Sequence, residues 1–107
     1  MNSDLLSFDI LPLMNIKFSG VIFYWRGPSP YHFVSVPEKQ SQAIKAISGL
    51  VTYGWGVIPV SVKIGKTEWQ TSLIPKNGLY LVPLRDNIRK AENLSEGDTV
   101  SIRLQIN

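Results

Sequence analysis

Tryptophan, tyrosine and scattered basic residues are the side chains in this sequence that could build a binding site. Trp55 stands between Gly54 and Gly56, and flanking glycines let the backbone approach closely and leave the indole room to project. An indole offers a large apolar face and one N–H donor, and a nearby cation can meet an anion. The pattern predicts a small cleft for a planar or sugar-like group, although packing of these aromatic residues in the core is the alternative. The candidate ligand-binding residues are Trp55, Trp69, Ser72, Lys76, Tyr80 and Arg89.

Residue types that carry catalysis are few. The 107 residues include no cysteine, which excludes thiolate nucleophiles, disulfides and cysteine-ligated zinc. His32 is the only histidine and lies in a strand pattern, so we expect a structural role for it. Glu92, Glu96 and Asp98 fall at a helix end and a turn, and Ser72 has no base beside it in the sequence. We therefore expect a non-enzymatic binding module with no cofactor and no metal site.

Short strand patterns fill most of the chain. Residues 16–25 become apolar on both faces, as is typical of a strand that lies centrally or spans a barrel seam, and an RGPSP turn follows them. Later stretches alternate between apolar and polar residues, which is typical of half-buried strands. The predicted strands cover about residues 16–25, 31–36, 60–64, 68–73, 79–82 and 100–106.

Two helices and two tight turns connect these strands. Pro37 is predicted as the first residue of a helix over about residues 37–49, and Asp86 as the cap of a second, short helix. The pairs Gly65-Lys66 and Asn77-Gly78 are typical of hairpin turns. The expected core-facing stripes are Ala43, Ile44, Ile47 and Leu50 on the first helix, and Ile88, Ala91 and Leu94 on the second.

The fold class expected from these elements is mainly β with two short helices. Short strands in an open sheet would leave exposed edges, so we expect a small closed antiparallel β-barrel. The length fits one domain, which we place at residues 15–107 behind an N-terminal extension of residues 1–14.

Charge and hydropathy bear on partners and location. Eleven basic against eight acidic residues give a net charge of +3, which permits nucleic acid as a partner without favouring it. The first residues carry Asp4 and Asp9 and no basic region, so we expect no signal peptide. Because no apolar stretch approaches the length of a membrane span, the expectation is a cytoplasmic protein without a membrane partner.

Several motifs resemble the bacterial and archaeal family called domain of unknown function 1905. They are KFSGVIFYW, HFVSVPEKQSQAI, GWGVIPV, WQTSLIPK, YLVPL, IRKAENL and GDTVSI, in this order over roughly residues 15–106. The family name assigns no activity, so this resemblance implies a fold and leaves the function open.

A second resemblance covers the C-terminal half. The stretch YLVPLRDNIRKAENLSEGDTVSIRL is similar to the half-barrel unit of AbrB-type regulators, which are DNA-binding barrels formed by two chains. It implies a double-split-barrel-like fold, and an alternative function as a DNA-binding regulator with Lys63 and Lys66 contacting phosphates. Apolar residues on both faces of the strand near Phe23 also leave room for a homodimer.

Overall fold

The computed structural model of the chain describes residues 13–51 and 56–107. The described part is mainly β, with two helices, as the sequence predicts. In chain order its elements are β1 (Met14–Val21), β2 (Phe23–Trp25), β3 (Tyr31–Ser35), α1 (Glu38–Val51), β4 (Ile58–Ile64), β5 (Thr67–Lys76), β6 (Leu79–Leu84), α2 (Asp86–Ala91) and β7 (Thr99–Ile106).

The strands form one antiparallel sheet in the order β1-β7-β4-β5-β6-β3-β2. The long strand β5 joins the two halves of this sheet. Its residues 67–73 pair with β4, and its residues 74–76 pair with β6. One half of the sheet therefore contains β1, β7 and β4, and the other contains β6, β3 and β2.

The predicted closed barrel is wrong, because the sheet is an open half-barrel. Its edge strands β1 and β2 are consecutive in the chain and are separated only by Ile22. The two edge strands therefore follow one another along the chain, end to end. In a closed barrel they would instead lie side by side and pair with each other. The backbone of Ile22 bonds instead to the turn before β7, through Ile22 N to Asp98 O at 2.9 Å and Gly97 N to Ile22 O at 2.8 Å.

Gly20 lies where β1 passes close to β3. A Cβ atom at this position would come within 2.6 Å of Cγ1 of Val34, which is completely buried. Real Cβ atoms do not approach carbon so closely in a packed interior. The glycine therefore allows the curled sheet to bring its first and third strands together.

One face of the curled sheet carries the main core. Alternation along the strands turns apolar side chains toward this face and polar ones away from it. Ile44 of α1 is also fully buried in this core, and Ile47 packs against it. The completely buried members include Val34, Val36, Ile44, Ile58, Val62, Leu73, Val82, Leu104 and Ile106.

The expected stripe of α1 is partly wrong. Ala43 is exposed and Leu50 is 78% exposed, so the buried face is narrower than the spacing of apolar residues suggests. The helix also starts one residue later than predicted. The carbonyl oxygen of Pro37 accepts the first helical hydrogen bond, from Ser41 N at 2.8 Å, which makes this proline the N-cap.

The second helix differs from its prediction at the cap. Arg85, with extended backbone angles, is the N-cap, and its carbonyl oxygen accepts from the N–H groups of Ile88 and Arg89. Asp86 lies in the first turn and pairs with Arg89, so it is not the cap. Of the expected stripe, Ile88 is buried and Leu94 packs against the core, whereas Ala91 is exposed.

Both predicted hairpin turns are confirmed. Gly65 has φ +57°, as the first central residue of a type II′ turn requires. Asn77 and Gly78 have φ +52° and +82°, which is typical of a type I′ turn. These two-residue turns fix the register of β4 against β5 and of β5 against β6.

Aromatic side chains cover part of the face opposite the core. The rings of Phe23 and Phe33 lie 5.9 Å apart, and those of Tyr31 and Phe33 lie 5.6 Å apart. Phe33 is buried among them, while Trp25 at the end of the same face is 36% exposed. The strand near Phe23 thus has apolar side chains on both faces, as expected, but it lies at an edge of the sheet and not at its centre.

Candidate ligand groove

The core-facing side chains of β2 and β3 become less buried toward one end of the half-barrel. Ile22 and Val34 are fully buried, but Tyr24 and His32, two residues away along the same faces, are only half-buried. These two residues are direct cross-strand partners, and their rings lie 4.6 Å apart at an angle of 48°. The strand register thus places an aromatic pair at the open end of the core.

The short helix α2 brings arginines to the same end. Ile88 is buried and anchors the helix, which leaves Arg85 and Arg89 beside the aromatic pair. An Nη atom of Arg89 donates to the Asp86 carboxylate at 2.6 Å. The Nε atom of Arg89 is buried and has no acceptor among the described residues, so one donor of this guanidinium is unused.

Arg26, just after β2, forms a third basic side of the site. Its guanidinium carbon lies 5.0 Å from the ring centroid of Tyr24, within the range of a cation–π contact. It also approaches the Glu96 carboxylate at 3.4 Å, but both side chains are more than half exposed. Water screens such exposed pairs, so this ion pair holds Arg26 only weakly.

Together these residues enclose a groove of about 770 Å³, which we call the arginine groove. Its lining has three arginines and two carboxylates, so it carries a net charge of +1 when His32 is neutral. Arg85 makes no ion pair within the described part of the chain. The charged and aromatic lining residues are Tyr24, Arg26, Tyr31, His32, Arg85, Asp86, Arg89 and Glu96.

Burial and the charge of Arg89 together determine the protonation of His32 and Asp86. Burial lowers the pKa of His32 below its ordinary value, and the positive charge of Arg89 lowers it further, against opposing effects of Asp86 and Glu96. The hydrogen bond and charge of Arg89 also lower the pKa of Asp86. At neutral pH the groove therefore presents a neutral imidazole, an ionised Asp86 and three guanidinium groups.

The model of a family described as domain of unknown function 1905 (DUF1905) matches residues 18–104. The chain belongs to this family. Every residue that lines the arginine groove lies inside the matched range of the DUF1905 domain. Comparison with curated proteins finds no match.

The structure of the DUF1905 domain places the described members of the sequence-predicted ligand set in separate locations. Trp55 lies outside the described residues. Arg89 lines the arginine groove, whereas Lys76 and Tyr80 line a smaller depression of about 210 Å³ beside the turn between β5 and β6. The described members of the set thus occupy more than one surface.

The predicted ligand residues outside the arginine groove differ in burial. Tyr80 is 6% exposed and belongs to the core, and Trp69 is half-buried against it. The Nε1 atom of Trp69 is buried with no acceptor among the described residues. Ser72 is half-buried opposite Pro59, and Lys76 is exposed with its Nζ atom 4.1 Å from the Trp25 ring centroid.

Sequence reasoning missed Tyr24, Arg26, Arg85 and Asp86 as site residues. Tyr24 and His32 occupy the same alternating positions as the buried residues Ile22 and Val34. The sequence pattern therefore does not show that these two side chains are only half-buried. The available signal was the concentration of Arg85, Arg89 and Lys90 in one short helix, together with a polar pair of rings on paired strands.

The two lysines of the alternative DNA-binding function differ in their surroundings. Lys63 is exposed on β4, on the face opposite the core. Lys66 lies in the β4–β5 turn, where its backbone N–H donates to the Glu92 carboxylate at 3.2 Å and Thr67 donates to the same oxygen at 2.5 Å. Glu92 thus ties the hairpin to the segment just after α2.

The described residues also bear on metal binding and on membrane insertion. No group of three His, Asp or Glu side chains lies close enough there to hold a metal ion. Neither helix in the described part is long and apolar enough to cross a membrane.

The carboxylate of Asp98 accepts from Ser95 N at 2.8 Å, which is the turn role that the sequence predicts for it.

Proposed function

We propose that this DUF1905 domain is a non-enzymatic binding module whose arginine groove takes a small anionic molecule with a planar group. The observation that carries the proposal is the meeting of three arginines with the Tyr24–His32 ring pair at the open end of the half-barrel. Ligand sites often occupy the mouths of β-barrels, where a few polar groups converge on an apolar interior.

The arginines of the groove are the reason for proposing a ligand with an anionic group. Arg85 is exposed and unpaired within the described residues, so it can bind an anion without breaking an existing ion pair. The pair of Arg89 with Asp86 holds a second guanidinium beside it. Guanidinium groups bind carboxylate and phosphate through two parallel hydrogen bonds, which fix the orientation of the ligand.

The ring pair of Tyr24 and His32 is the reason for proposing a planar group in the ligand. Tyr24 is half-buried and contacts His32 on the paired strand, so its ring is held in place. Arg26 already lies over this ring, and its exposed ion pair costs little to rearrange. A flat group can take the place of that guanidinium and stack on Tyr24, with Arg26 then at its edge.

The groove suits binding better than catalysis because its two carboxylates already form ion pairs with arginines. Asp86 is ionised and holds Arg89, and Glu96 faces Arg26. Acid–base catalysis needs a proton donor and acceptor poised near the working pH, whereas the pKa of Asp86 is lowered by Arg89 and that of His32 is lowered by burial and by Arg89. The predicted cytoplasmic location, bacterial source and homodimer are further parts of this proposal that rest on the sequence.

Titration of the protein with benzoate, benzamide and inorganic phosphate, followed by NMR, tests the proposal. Benzoate supplies a ring and an anion, benzamide only the ring, and phosphate only the anion. We expect benzoate to bind best and to shift the signals of Tyr24 and His32. Loss of one charge-assisted contact costs about 1.4 kcal/mol or more, so Arg85→Gln should weaken benzoate about tenfold.

The matched control is Lys90→Gln, which removes one positive charge from an exposed position on the same helix outside the groove. It should leave benzoate affinity unchanged within about a factor of two, since screened charges act weakly. Equal binding of benzoate and benzamide, or equal losses in the two variants, would contradict an anion site at Arg85.

A further inference from the structure

The other half of the sheet carries three basic residues in one row across neighbouring strands. Lys17 of β1 is the direct partner of Arg103 of β7, and Arg103 is the direct partner of Lys63 of β4. All three are exposed, on the face opposite the core. Because paired strands lie about 4.8 Å apart, this basic row extends for roughly 10 Å.

No carboxylate forms a close ion pair with the basic row in the described part of the chain. Within the described residues, none of its three members forms an ion pair within 4.0 Å. Glu68 is opposite Lys63 and therefore stands only at one end. Like charges that face each other directly on a sheet destabilise it, and Glu68 offsets this repulsion only for Lys63, its direct partner.

Hydrogen-bonding side chains flank the basic row on both sides. Ser19 and Ser101 are cross-strand partners with hydroxyl oxygens 3.4 Å apart, and they lie one step along the strands. On the other side Gln70 donates to the Ser61 hydroxyl at 3.2 Å. The row and the serine pair line a shallow depression of about 470 Å³.

We propose that the basic row binds the phosphodiester backbone of duplex nucleic acid without reading its bases. Cations and hydroxyl donors in a line are the groups that contact phosphates, and such contacts carry no sequence information. Proteins that bind single-stranded nucleic acid add aromatic side chains on which the bases stack. The basic row and the side chains that flank it are instead cations, hydroxyls and amides. An interfacial membrane site needs a cluster of apolar side chains beside its cations, but Phe18, Val62 and Ile102 face the core. Of the large apolar residues of β1, β4 and β7, only Val21, at the far end of β1, is exposed.

This site is independent of the arginine groove. The groove is built from β2, β3 and α2, and the row from β1, β7 and β4. It also differs from the alternative taken from the sequence, which pairs Lys63 with the turn residue Lys66. Here the partners of Lys63 come from strands distant in sequence, and only the register brings them together.

Fluorescence anisotropy with a labelled duplex of about 20 base pairs tests the proposal. Three phosphate contacts predict a slope of about −2.7 for the logarithm of affinity against the logarithm of salt concentration, which is about a 40-fold loss between 50 and 200 mM salt. Lys17→Gln, Lys63→Gln and Arg103→Gln should each reduce the slope by about 0.9. Lys39→Gln, at an exposed position of α1, is the matched control and should leave the slope unchanged.

Three results would overturn the proposal. They are absence of duplex binding at 50 mM salt, equal slopes for wild type and the three row variants, and a loss with Lys66→Gln that the row variants do not show. Vesicles containing phosphatidylserine provide the comparison for a membrane partner, and binding to them in place of the duplex would refute a nucleic-acid site. Arg85→Gln should leave the duplex slope unchanged, so failure of either proposed site is distinguishable from failure of the other.

Discussion

Ser41 offers a sharp test of how α1 is joined to the sheet. The side chain is 1% exposed, and its hydroxyl donates to the carbonyl oxygen of Val36 at 3.0 Å. The Ser41 hydroxyl oxygen in turn accepts from the backbone N–H of Tyr80 at 3.1 Å. One small hydroxyl therefore satisfies a backbone group at the end of β3 and another at the start of β6. We predict that Ser41→Ala destabilises the fold substantially, although the two side chains are similar in size.

The magnitude follows from the groups that lose their partners. A buried N–H left without an acceptor costs about 1–3 kcal/mol, and Tyr80 N loses its acceptor in this variant. Alanine in a helix interior returns about 0.5 kcal/mol relative to serine. The free energy of unfolding should therefore fall by about 0.5–2.5 kcal/mol, with a central value of about 1.5 kcal/mol. For a domain of this size the central value corresponds to a decrease in Tm of about 7 °C.

Urea denaturation at constant pH measures this effect, and Ser48→Ala is the matched control. The Ser48 hydroxyl donates only to the Lys45 carbonyl oxygen of its own helix, at 2.8 Å, so its removal leaves the helical ladder intact. We expect the free energy of unfolding of this control to change by less than about 0.5 kcal/mol. If both variants lose equal stability, or if neither does, the bridging role assigned to Ser41 is refuted.

Three further changes test other parts of the structure. Gly20→Ala should lower the free energy of unfolding by about 1–3 kcal/mol in urea denaturation, because the new Cβ would overlap the buried Val34 side chain; an unchanged value would show that β1 does not approach β3 so closely. Glu92→Ala should cost about 1–2 kcal/mol, since the hairpin turn loses a charged acceptor for two donors, and a neutral result in the same measurement would remove the link between the turn and the segment after α2. The pKa of His32 is lowered in the folded protein, so the unfolded chain binds a proton first and stability should fall as pH drops below about 6.5, levelling off below the folded pKa; His32→Gln should abolish that part of the pH profile of Tm, and an identical profile would contradict the lowered value.

Local elements of the fold could be predicted because their signals are local. Gly65-Lys66 and Asn77-Gly78 fix turns through backbone angles that these residues adopt easily. Strand alternation from Val100 to Ile106 gives a buried face directly. The open half-barrel could not be obtained in this way, because it depends on one residue, Ile22, joining two edge strands of the same sheet.

The candidate site was largely hidden from the sequence. Tyr24 and His32 are eight positions apart and meet through strand pairing, while Arg85 and Arg89 come from a helix more than fifty residues later. Trp69 and Tyr80 attracted attention by residue type, yet both pack against or within the core. Residue type alone does not separate a ligand platform from a core side chain, and register and burial decide between them.

The pKa of His32, measured by NMR with and without benzoate, tests the central claim most directly. The chain contains one histidine, so its ring signal is unambiguous. We predict a pKa below the ordinary value in the free protein, a rise in this pKa when benzoate binds beside the ring, and no such rise in Arg85→Gln. A pKa of His32 that is unaffected by saturating benzoate would contradict the arginine groove as a site for anionic ligands.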